Sequence, residues 1–524
     1  MSFEGELLED HPLIRVRYDK AADYRANGGN PFVNRFMPTH QAAELQADGD
    51  RHAAEETPVR VAGRMLTVKS FGSLSFFHLQ DATGRIQVAV HKKGVPEGDM
   101  ELFKKTLDTG DIVGVEGTMT RTKTGELTVH AHRIYLLSKS MRALPEKYHG
   151  LKDQELRYRQ RYVDLIVNPE VKKVFELRSR IIAAFRRNLD LRGYMEVETP
   201  MMQPMYGGGA AKPFITHHNA LDMDLYLRIA PELYLKRLLV GGFDKVYEVN
   251  RNFRNEGLSI RHNPEFTMVE LYTAWWDYTD TMNLSEELIT DVAQEVCGTL
   301  EMEFLGKPLS LARPWARRTI LDLIRDTLGV NSERTLRWGT TDAESREFIL
   351  SIIPDEHKGA ILGSDGGAKK SNDKILFELF EAAAEPTLWQ PTFVMEFPRS
   401  LCPLAKSKPD DQATAERFEI FIGGMEMGNA YSELNDPYDQ LERFRDQERQ
   451  RNAGDEEATG VDADYVRALE YGMPPASGLG IGIDRIVMML TNSSSIRDVI
   501  LFPQMRPEVD HESTRMDTNE QPGE

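Results

Sequence analysis

The chain has 524 residues, of which 40% are hydrophobic and 28% charged, as in an ordinary soluble globular protein of two to four domains. Its formal net charge of −19 argues against a molecule that binds nucleic acid nonspecifically over its whole surface. Cys297 and Cys402 are its two cysteines, which excludes a disulfide framework, and they lack zinc-ligand spacing. No apolar run approaches the roughly 18 residues of a membrane span, and the acidic N-terminus lacks the apolar core of a signal peptide. We therefore expect a cytoplasmic protein without membrane association.

Residues 1–57 mix helical, charged and Gly-Asn-rich pieces, and we predict an N-terminal arm there. Between residues 58 and 142, short β-type runs alternate with turn signals such as Asp81-Ala82-Thr83-Gly84 and Lys123-Thr124-Gly125-Glu126. Such a series of short strands predicts a small all-β barrel, either an oligonucleotide-binding (OB) fold or another small barrel. The predicted strands are 59–68, 74–79, 85–91, 111–119 and 127–137.

Residues 143–165 form a predicted basic linker, which is either a solvated face or a contact for a phosphate backbone. From 166 to 507 we predict a mixed α/β domain on an antiparallel sheet, beginning with a long helix over 168–192. A mostly helical insertion is expected at about 309–381. Residues 508–524 are polar, and we predict that this tail is disordered.

The first informative block runs from Val246 to Glu256, and a polar loop joins it to Arg261-His262-Asn263-Pro264-Glu265-Phe266-Thr267-Met268. The two-residue period of the second strand places alternate side chains on one face. A carboxylate, a phenol and a ring then lie beside an arginine, which fits either a binding site or a polar face in solvent. The residues on this face are Phe266, Met268, Glu270 and Tyr272.

The second block, Arg417 to Asn435, contains Gly423-Gly424 between alternating runs, which predicts a hairpin with a two-residue turn. Such a turn pairs Phe421 with Glu426 and Glu419 with Gly428. The carboxylates of Glu419 and Glu426 are then diagonal neighbours that either share a divalent cation or face solvent. Asn429, Tyr431 and Glu433 reach the same pocket only if the strand twists or bulges near Gly428.

The third block is Gly478-Leu479-Gly480-Ile481-Gly482-Ile483-Asp484-Arg485. It is not a dinucleotide fingerprint, because isoleucine stands where the third glycine should fall. Alternate glycines let either a ligand or another chain segment lie against the strand backbone. We expect Arg485 at the start of the next helix, where it could meet a phosphate or a flat base.

The three blocks together, in this order and with this spacing, resemble motifs two and three of class II aminoacyl-tRNA synthetases. A strand ended by proline, residues 193–200, resembles motif one. Within the class, the segments 228–236 and 263–267 are most similar to lysyl-tRNA synthetases. The resemblance covers about residues 59–507 and implies an α/β (α+β) multidomain chain. Its parts would be an OB-fold anticodon-binding barrel at 58–142 and a class II catalytic domain with an antiparallel sheet flanked by helices.

The resemblance implies that the enzyme activates L-lysine with ATP and transfers it to the 3′ end of lysine tRNA, releasing AMP and pyrophosphate. That chemistry needs alignment and charge neutralisation more than a general base. Arg254 would bridge the amino-acid carboxylate and the α-phosphate, and Glu256 would hold the adenine amino group. Phe266 and Arg485 would enclose the adenine ring. The remaining implied contacts to ATP are His262 at the terminal phosphates, Asn263, and the magnesium ligands Glu419 and Glu426.

For the amino acid, the resemblance implies that Glu232 binds the α-ammonium group beside the backbone of Gly208, while Asn429 helps to hold the carboxylate. Three carboxylates in one small site favour a substrate with two ammonium groups, because a neutral analogue would leave buried charge unpaired. The residues expected around the end of the lysine side chain are Glu270, Tyr272, Tyr431 and Glu433.

In the barrel, the resemblance assigns Phe76, Gln87 and Glu126 to a uridine-rich anticodon, read by stacking and hydrogen bonds. It also implies a homodimer formed through motif one. The sequence departs from some relatives at Met425, where arginine stands in them, and at Tyr431, where they have phenylalanine. The first change could alter phosphate contacts, and the second keeps an aromatic wall.

Three other functions compete with this interpretation. A ligase that attaches lysine or an isomer to a protein would lack the barrel, whose predicted strands are present. A catalytically inactive RNA-binding paralogue would have lost one of four residues that the chain retains. An aspartyl- or asparaginyl-tRNA synthetase would be expected to place cations where this chain has three carboxylates. The four retained residues are Arg254, Glu419, Glu426 and Arg485.

Overall fold

A computed structural model describes residues 12–145, 151–330, 336–452 and 459–507. The chain divides into two compact units, of which the first is Met1–Asp153 with Pro507–Glu524 and the second is Gln154–Arg506. The tail for which we predicted disorder, residues 508–524, lies outside the described residues.

A closed five-stranded barrel forms the centre of the first unit, with its strands hydrogen-bonded in the order β1-β2-β3-β5-β4. The barrel expectation is therefore confirmed. Alternation along the strands sends one side chain inward and the next outward, so Phe77 is buried while its neighbour Phe76 is half-exposed. The strands are β1 (Pro58–Phe71), β2 (Leu74–Gln80), β3 (Arg85–His91), β4 (Ile112–Arg121) and β5 (Leu127–Ser138).

The turns and helices of this unit follow local chemistry. Asp81 closes the predicted turn between β2 and β3, because its carboxylate accepts hydrogen bonds from the backbone N–H groups of Thr83 and Gly84. In the predicted arm, the ring of Phe36 lies under the guanidinium of Arg60. The helices are α1 (Pro12–Ala26), α2 (Ala42–Ala47), α3 (Gly49–Ala54) and α4 (Glu97–Glu101), which continues as a π-helical turn, Leu102–Thr106.

An eight-stranded sheet organises the second unit, in the order β14-β15-β16-β17-β18-β11-β10-β6. Its pairs are antiparallel except β6 with β10 and β14 with β15. The strands are β6 (Met195–Glu196), β10 (Lys245–Phe253), β11 (Glu265–Ala274), β14 (Ala316–Thr319), β15 (Thr392–Pro398), β16 (Thr414–Ile422), β17 (Met425–Ser432) and β18 (Ala476–Gly482).

Two small sheets accompany the large one. They are a three-stranded sheet of β7 (Met202–Gln203), β8 (Ile215–His218) and β9 (Met223–Leu227), and a hairpin of β12 (Glu301–Phe304) and β13 (Lys307–Ser310).

Helices α7, α9 and α16 cover one face of the large sheet and enclose the main hydrophobic core, which includes Phe185, Leu271 and Ile481. On the opposite face, α8, α14 and α15 form a second cluster around Tyr272. The helices of the unit are α5 (Gln154–Arg159), α6 (Arg161–Val167), α7 (Pro169–Leu191), α8 (Glu232–Val240), α9 (Tyr278–Cys297), α10 (Ile320–Leu328), α11 (Ala343–Ser351), α12 (Asp355–Leu362), α13 (Asn372–Leu379), α14 (Pro437–Asn452), α15 (Ala463–Glu470), α16 (Ile483–Leu490) and α17 (Ile496–Val499), with a π-helical turn at Phe380–Ala384 and short 3₁₀ turns at Glu385–Thr387 and Arg399–Leu401.

Part of the predicted basic linker is helical, because α5 and α6 begin inside residues 143–165. Arg161 is buried and donates to the carboxylate of Asp164 at 2.7 Å and to the backbone oxygens of residues 497 and 501. Arg157 also pairs with Asp164, at 2.9 Å. The buried carboxylate of Asp164 therefore offsets part of the positive charge of this segment. Helices α10 to α13 fall within the insertion predicted as mostly helical at 309–381.

The two neighbouring phenylalanines of β2 make a matched test of the barrel. Replacing the buried Phe77, whose ring stacks on Phe103, with alanine should cost about 3 kcal/mol, because it leaves a cavity in the core. Phe76→Ala should cost less than about 1 kcal/mol, since that ring is half-exposed. Urea unfolding of the full chain, followed by hydrogen exchange of the barrel amides, measures both. Equal losses would contradict the inward and outward assignment.

Candidate active site

One face of β11 is directed away from the main core and forms a wall of the candidate site. Val269 and Leu271 are buried in the core cluster, so Phe266, Met268 and Glu270 belong to the opposite face by the alternation of the strand. Phe266 and Met268 line a cavity of about 170 Å³. Glu270 accepts a hydrogen bond from Asn252 of the neighbouring strand at 3.2 Å. The predicted row of side chains therefore does not face solvent.

The hairpin of β16 and β17 forms the next wall, and its register corrects one expectation. Phe421 pairs with Glu426 as predicted, but Glu419 faces Asn429 instead of Gly428. The register shifts because an extra residue, Met427, bulges out of the pairing between Phe421–Glu426 and Ile420–Gly428.

This bulge is the local change that the predicted pocket required. It puts Glu426 on the same face as Asn429 and Tyr431, although simple alternation separates them. The three side chains are half-buried on the pocket face, whereas Met425, Met427 and Ala430 are buried in the core. Met425 therefore points away from the pocket, so our expectation that it alters phosphate contacts is wrong.

Cationic and aromatic groups meet around the cavity. The guanidinium of Arg254 lies 5.1 Å from the centroid of the Phe266 ring. Arg485, in the first turn of α16 as expected, contacts the Glu426 carboxylate at 3.3 Å and His262 Nε2 at 3.3 Å. Burial and the positive charge of Arg485 lower the pKa of His262. Glu256 and Asn263 also line this cavity. The Asn263 side chain donates to the backbone oxygen of residue 265 and accepts from the backbone N–H of residue 504.

A buried ion pair positions the helix that carries Arg485. Asp484 receives hydrogen bonds from Arg178 of α7 and from the backbone N–H of Thr267 at 2.8 Å. Thr267 follows Phe266, and Asp484 precedes Arg485. The same carboxylate therefore ties together the two elements on either side of the cavity.

Two carboxylates suited to a divalent cation lie on the paired strands β16 and β17, and one of them, Glu426, lines the cavity. Glu419 is buried and accepts a hydrogen bond from Arg417 at 2.6 Å. Burial and the negative charge of Glu426 raise the pKa of Glu419 to about 8. Burial acts in the same direction on Glu426, but Arg485 and Arg417 outweigh it and leave its pKa below the usual value.

Repulsion between these two carboxylates is a strain that a shared cation would relieve. Among the described residues, no three His, Cys, Asp or Glu side chains form a metal-binding group. Two carboxylates together with substrate phosphates are a common ligand set for Mg²⁺. Glu419 and Glu426 therefore fit a magnesium ion that also contacts a phosphorylated substrate.

A buried acidic pocket lies beside the cavity, formed by Glu232, Glu270 and Glu433, which are 4%, 5% and 1% exposed. Burial and the charge of Glu232 raise the pKa of Glu270 to about 8. Burial raises the pKa of Glu433 to about 8 although Lys236 opposes the shift. Such desolvated carboxylates favour a cationic ligand.

Glycines shape both ends of this pocket. Gly208 has φ +80°, and a Cβ there would lie 2.8 Å from Cβ of Glu232. A Cβ on Gly478 would lie 2.4 Å from an oxygen of Glu433 and equally close to the ring of Tyr272. The alternate glycines of β18 therefore accommodate side chains of the chain itself at Gly478, while Gly480 lines the cavity.

Sequence reasoning missed two cations of the site, Lys236 and Arg417. Lys236 is fully buried and pairs with Glu232 at 2.6 Å and with Glu433. The four-residue spacing of Glu232 and Lys236 on a helix was an available signal. Tyr431, expected only as an aromatic wall, also donates its hydroxyl to Glu232 at 2.6 Å.

The predicted anticodon residues lie on the outer surface of the barrel. Gln87 and Glu126 line a second cavity of about 300 Å³, together with His78 and Arg85. Gln87 accepts a hydrogen bond from Thr128 at 2.8 Å. Phe76 lies on the same strand as His78, and its ring packs edge-on against the largely exposed ring of Phe71.

Comparison with known proteins agrees with this geometry. Residues 153–506 match the family model of class II tRNA synthetases (D, K and N). Residues 59–137 match the model of an OB-fold nucleic acid binding domain. A lysine–tRNA ligase of Pelotomaculum thermopropionicum is 54% identical over 94% of this chain and 95% of its own length. The lysine–tRNA ligase of Bacillus subtilis is 50% identical, over 94% of this chain and 97% of its own length.

The chain belongs to the class II lysyl-tRNA synthetase family. The barrel of this synthetase is accordingly an OB fold, which decides between the two kinds of barrel left open by its sequence. Within the described ranges, no helix of the synthetase combines the length and apolar character that crossing a membrane requires.

The raised pKa of Glu270 predicts how the stability of the synthetase depends on pH. The native carboxyl, with a pKa of about 8, keeps its proton while the unfolded one loses it near 4.5, so the free energy of unfolding falls as pH rises between these values. The free energy of unfolding should therefore fall by about 2 kcal/mol less between pH 5 and pH 7 in Glu270→Gln than in the wild type. Urea unfolding of the ligand-free protein measures it.

Glu265→Gln, at an exposed position of the same strand, is the matched control and should keep the pH dependence of the wild type. Parallel curves for the wild type and Glu270→Gln would show that the Glu270 carboxyl is ionised in the folded protein.

Proposed function

We propose that this synthetase activates L-lysine with ATP and transfers the lysyl group to the 3′ end of lysine tRNA, with release of pyrophosphate and AMP. The observation that carries the proposal is the acidic pocket of Glu232, Glu270 and Glu433 beside the cavity that contains Arg254 and Arg485. The side chain of a bound aspartate or asparagine would leave the carboxylates of this pocket without a cation, at a cost of several kcal/mol.

Each end of the pocket suits one ammonium group of lysine. Glu232, beside Gly208, would bind the α-ammonium group. Glu270 and Glu433, with the hydroxyl of Tyr272, would bind the ammonium group of the side chain. Tyr431 supports the first contact, because its hydrogen bond to Glu232 orients that carboxylate. Asn429, at the border with the cavity, would help to hold the substrate carboxylate.

The cavity suits ATP. Phe266 and Arg485 on its opposite walls would enclose the adenine, and Glu256 would accept a hydrogen bond from its amino group. His262, in contact with Arg485, would reach the terminal phosphates in the part of the cavity that Asn263 lines. Magnesium held by Glu419 and Glu426 would neutralise phosphate charge.

Activation would proceed by attack of the lysine carboxylate on the α-phosphate of ATP. Arg254 would bridge these two groups, aligning them and stabilising the charge that develops in the transition state. The attacking oxygen is already ionised at neutral pH, so no side chain needs to remove a proton. Exclusion of water by the buried pocket protects the resulting lysyl-adenylate from hydrolysis.

The test is amino-acid-dependent exchange of pyrophosphate into ATP, measured for all twenty amino acids with magnesium. We expect exchange with lysine, and a fall of about 100-fold in kcat/KM for lysine in Glu433→Gln, because the variant removes a buried charge partner of the substrate. Glu442→Gln, an exposed change on α14, is the control and should leave exchange intact.

Exchange with another amino acid, or no exchange by the folded protein, would overturn the proposed activation of lysine. The second outcome would favour a catalytically inactive RNA-binding protein.

The OB-fold barrel would bind the anticodon, with Phe76 stacking on a base and Gln87 and Glu126 forming hydrogen bonds at the adjacent cavity. Phe76→Ala should raise KM for tRNA about tenfold in aminoacylation, because stacking of a base on an aromatic ring contributes about 1–3 kcal/mol. Pyrophosphate exchange should not change, since the barrel takes no part in activation. An unchanged KM for tRNA would exclude a stacking role for Phe76.

A homodimer is the assembly that the exposed apolar surface favours. Leu191, Met195 and Met202 are 79%, 54% and 55% exposed. They lie at the end of α7, on β6 and on β7, around the segment that resembles motif one. Large apolar side chains grouped on a surface are typical of a protein interface.

We place the enzyme in the cytoplasm, where tRNA is aminoacylated.

A further inference from the structure

The side chain of Lys236 places an ammonium group of the protein itself in the acidic pocket, in addition to the ammonium groups of the proposed lysine substrate. Its Nζ lies 2.6 Å from Oε1 of Glu232, one helical turn away on α8, and forms a second ion pair with Oε2 of Glu433. Its side chain is fully buried. The rings of Tyr431 and Tyr465 lie 5.5 and 6.0 Å from Nζ. A lysine in such a place is retained only if its charge is compensated.

The neighbours of Lys236 keep it protonated. Burial acts to lower its pKa, but Glu232 and Glu433 outweigh burial and raise the pKa above that of free lysine. Tyr465 stays a neutral phenol, because burial raises its pKa as well. On the far side of Tyr465, Arg237 pairs with Asp462 and Asp464 of the α15 region. Lys236 therefore contributes one fixed positive charge throughout the working pH range.

Lys236 contacts one oxygen of each carboxylate, and the other oxygens face two glycines at different ends of the pocket. It binds Oε1 of Glu232, whereas Oε2 faces Gly208, where a Cβ would lie 3.4 Å from it. It binds Oε2 of Glu433, whereas Oε1 faces Gly478. A single cation thus holds the carboxylates at the two ends of the pocket, and each carboxylate keeps an oxygen directed elsewhere.

The formal charges then match a particular kind of substrate. Glu232, Glu270 and Glu433 carry three negative charges when ionised. The positive charge of Lys236 reduces the formal net charge of the pocket to two negative. Lysine brings two ammonium groups, while its carboxylate has Arg254 as a separate partner. Without Lys236, the three desolvated carboxylates would repel one another more strongly, and their pKa values would rise further.

We propose that Lys236 is a specificity-determining positioning residue, which sets the pocket charge to that of a two-ammonium amino acid and aligns Glu232 with Glu433. This inference rests on the proposed function. Lys236 does not touch the reacting atoms, so its removal should affect lysine binding far more than the chemical step or the binding of ATP.

The first experiment compares Lys236→Met with the wild type in pyrophosphate exchange between pH 6.5 and 9.5. We expect KM for lysine to rise about 30-fold at pH 7, the loss of about 2 kcal/mol of charge pairing, while KM for ATP changes less than about twofold. The rise should shrink at least about threefold by pH 9.5, because a carboxylate that has lost its cation ionises only at higher pH.

Arg237→Gln is the matched control, since it removes an ion pair from the same helix outside the pocket. It should lower stability without changing KM for lysine. If Lys236 only supports the fold, its variant will behave like this control and show no pH-dependent change of KM. If Lys236 instead competes with the substrate for the carboxylates, KM for lysine will fall. Either result overturns the proposal.

A double variant tests the charge balance directly. It removes Lys236 together with the charge of one of its two partners, so it keeps the test open if Lys236→Met fails to fold. Glu433→Gln alone leaves a formal pocket charge of one negative, and adding Lys236→Met restores two. We expect the second substitution to raise kcat/KM for lysine about tenfold above that of Glu433→Gln, the equivalent of about 1.4 kcal/mol. A further loss would refute the charge-setting role.

Failure of the proposed function is distinguishable from failure of this inference. If lysine is not the substrate, the wild-type enzyme itself will not exchange pyrophosphate with lysine. If lysine is the substrate but Lys236 does not set the pocket charge, the wild type will exchange normally and only the pattern among the variants will differ.

Discussion

Several carboxylates are buried on one face of the catalytic sheet, and each requires a cation or a proton. Glu248 pairs with the fully buried Arg228 at 2.7 Å, and Glu419 pairs with Arg417 at 2.6 Å. Glu232 and Glu433 share Lys236. Burial of a charge is costly unless it is paired, so these ion pairs determine where α8 and the central strands can lie. The core on the other face is largely apolar, and there the buried Arg178–Asp484 pair joins α7 to α16.

The same constraint explains why a cationic ligand would bind favourably at this site. Glu270, Glu419 and Glu433 each have a pKa raised to about 8, because the fold does not fully compensate the negative charge that each would carry when ionised. A substrate with ammonium groups, or a magnesium ion, would supply the missing charge. Desolvation of these carboxylates therefore raises their pKa values and, by the same cause, would favour a cationic ligand.

Backbone irregularity brings these groups together. The bulge at Met427 changes the phase of β17, so that Glu426, Asn429 and Tyr431 share the pocket face. On β18, the absence of a side chain at Gly478 lets Glu433 and Tyr272 approach the backbone. Asp484 then links α16 to β11, and Arg485 and Phe266 beside these contacts line the same cavity. Regular strands with larger residues would separate the same side chains.

The sequence by itself determined the features that depend on local pattern. The barrel strands and the α7 helix follow from alternation, helical periodicity and turn residues, and the motif spacing identified the family. The face shared by Phe266, Met268 and Glu270 followed from the two-residue period of a strand. The position of Arg485 at the start of α16 followed from the end of the glycine strand.

Only the tertiary structure decided which charged side chains are buried against one another. Lys236 and Arg417 are ordinary cations in the sequence, and their importance comes from contacts with Glu433 and Glu419 after folding. The pairing of Glu419 with Asn429 depended on a one-residue bulge that alternation does not reveal. The four-residue spacing of Glu232 and Lys236 was a local signal for one of these pairs. Burial, like-charge repulsion and register, however, are set by segments far apart in the chain, so local patterns do not specify them.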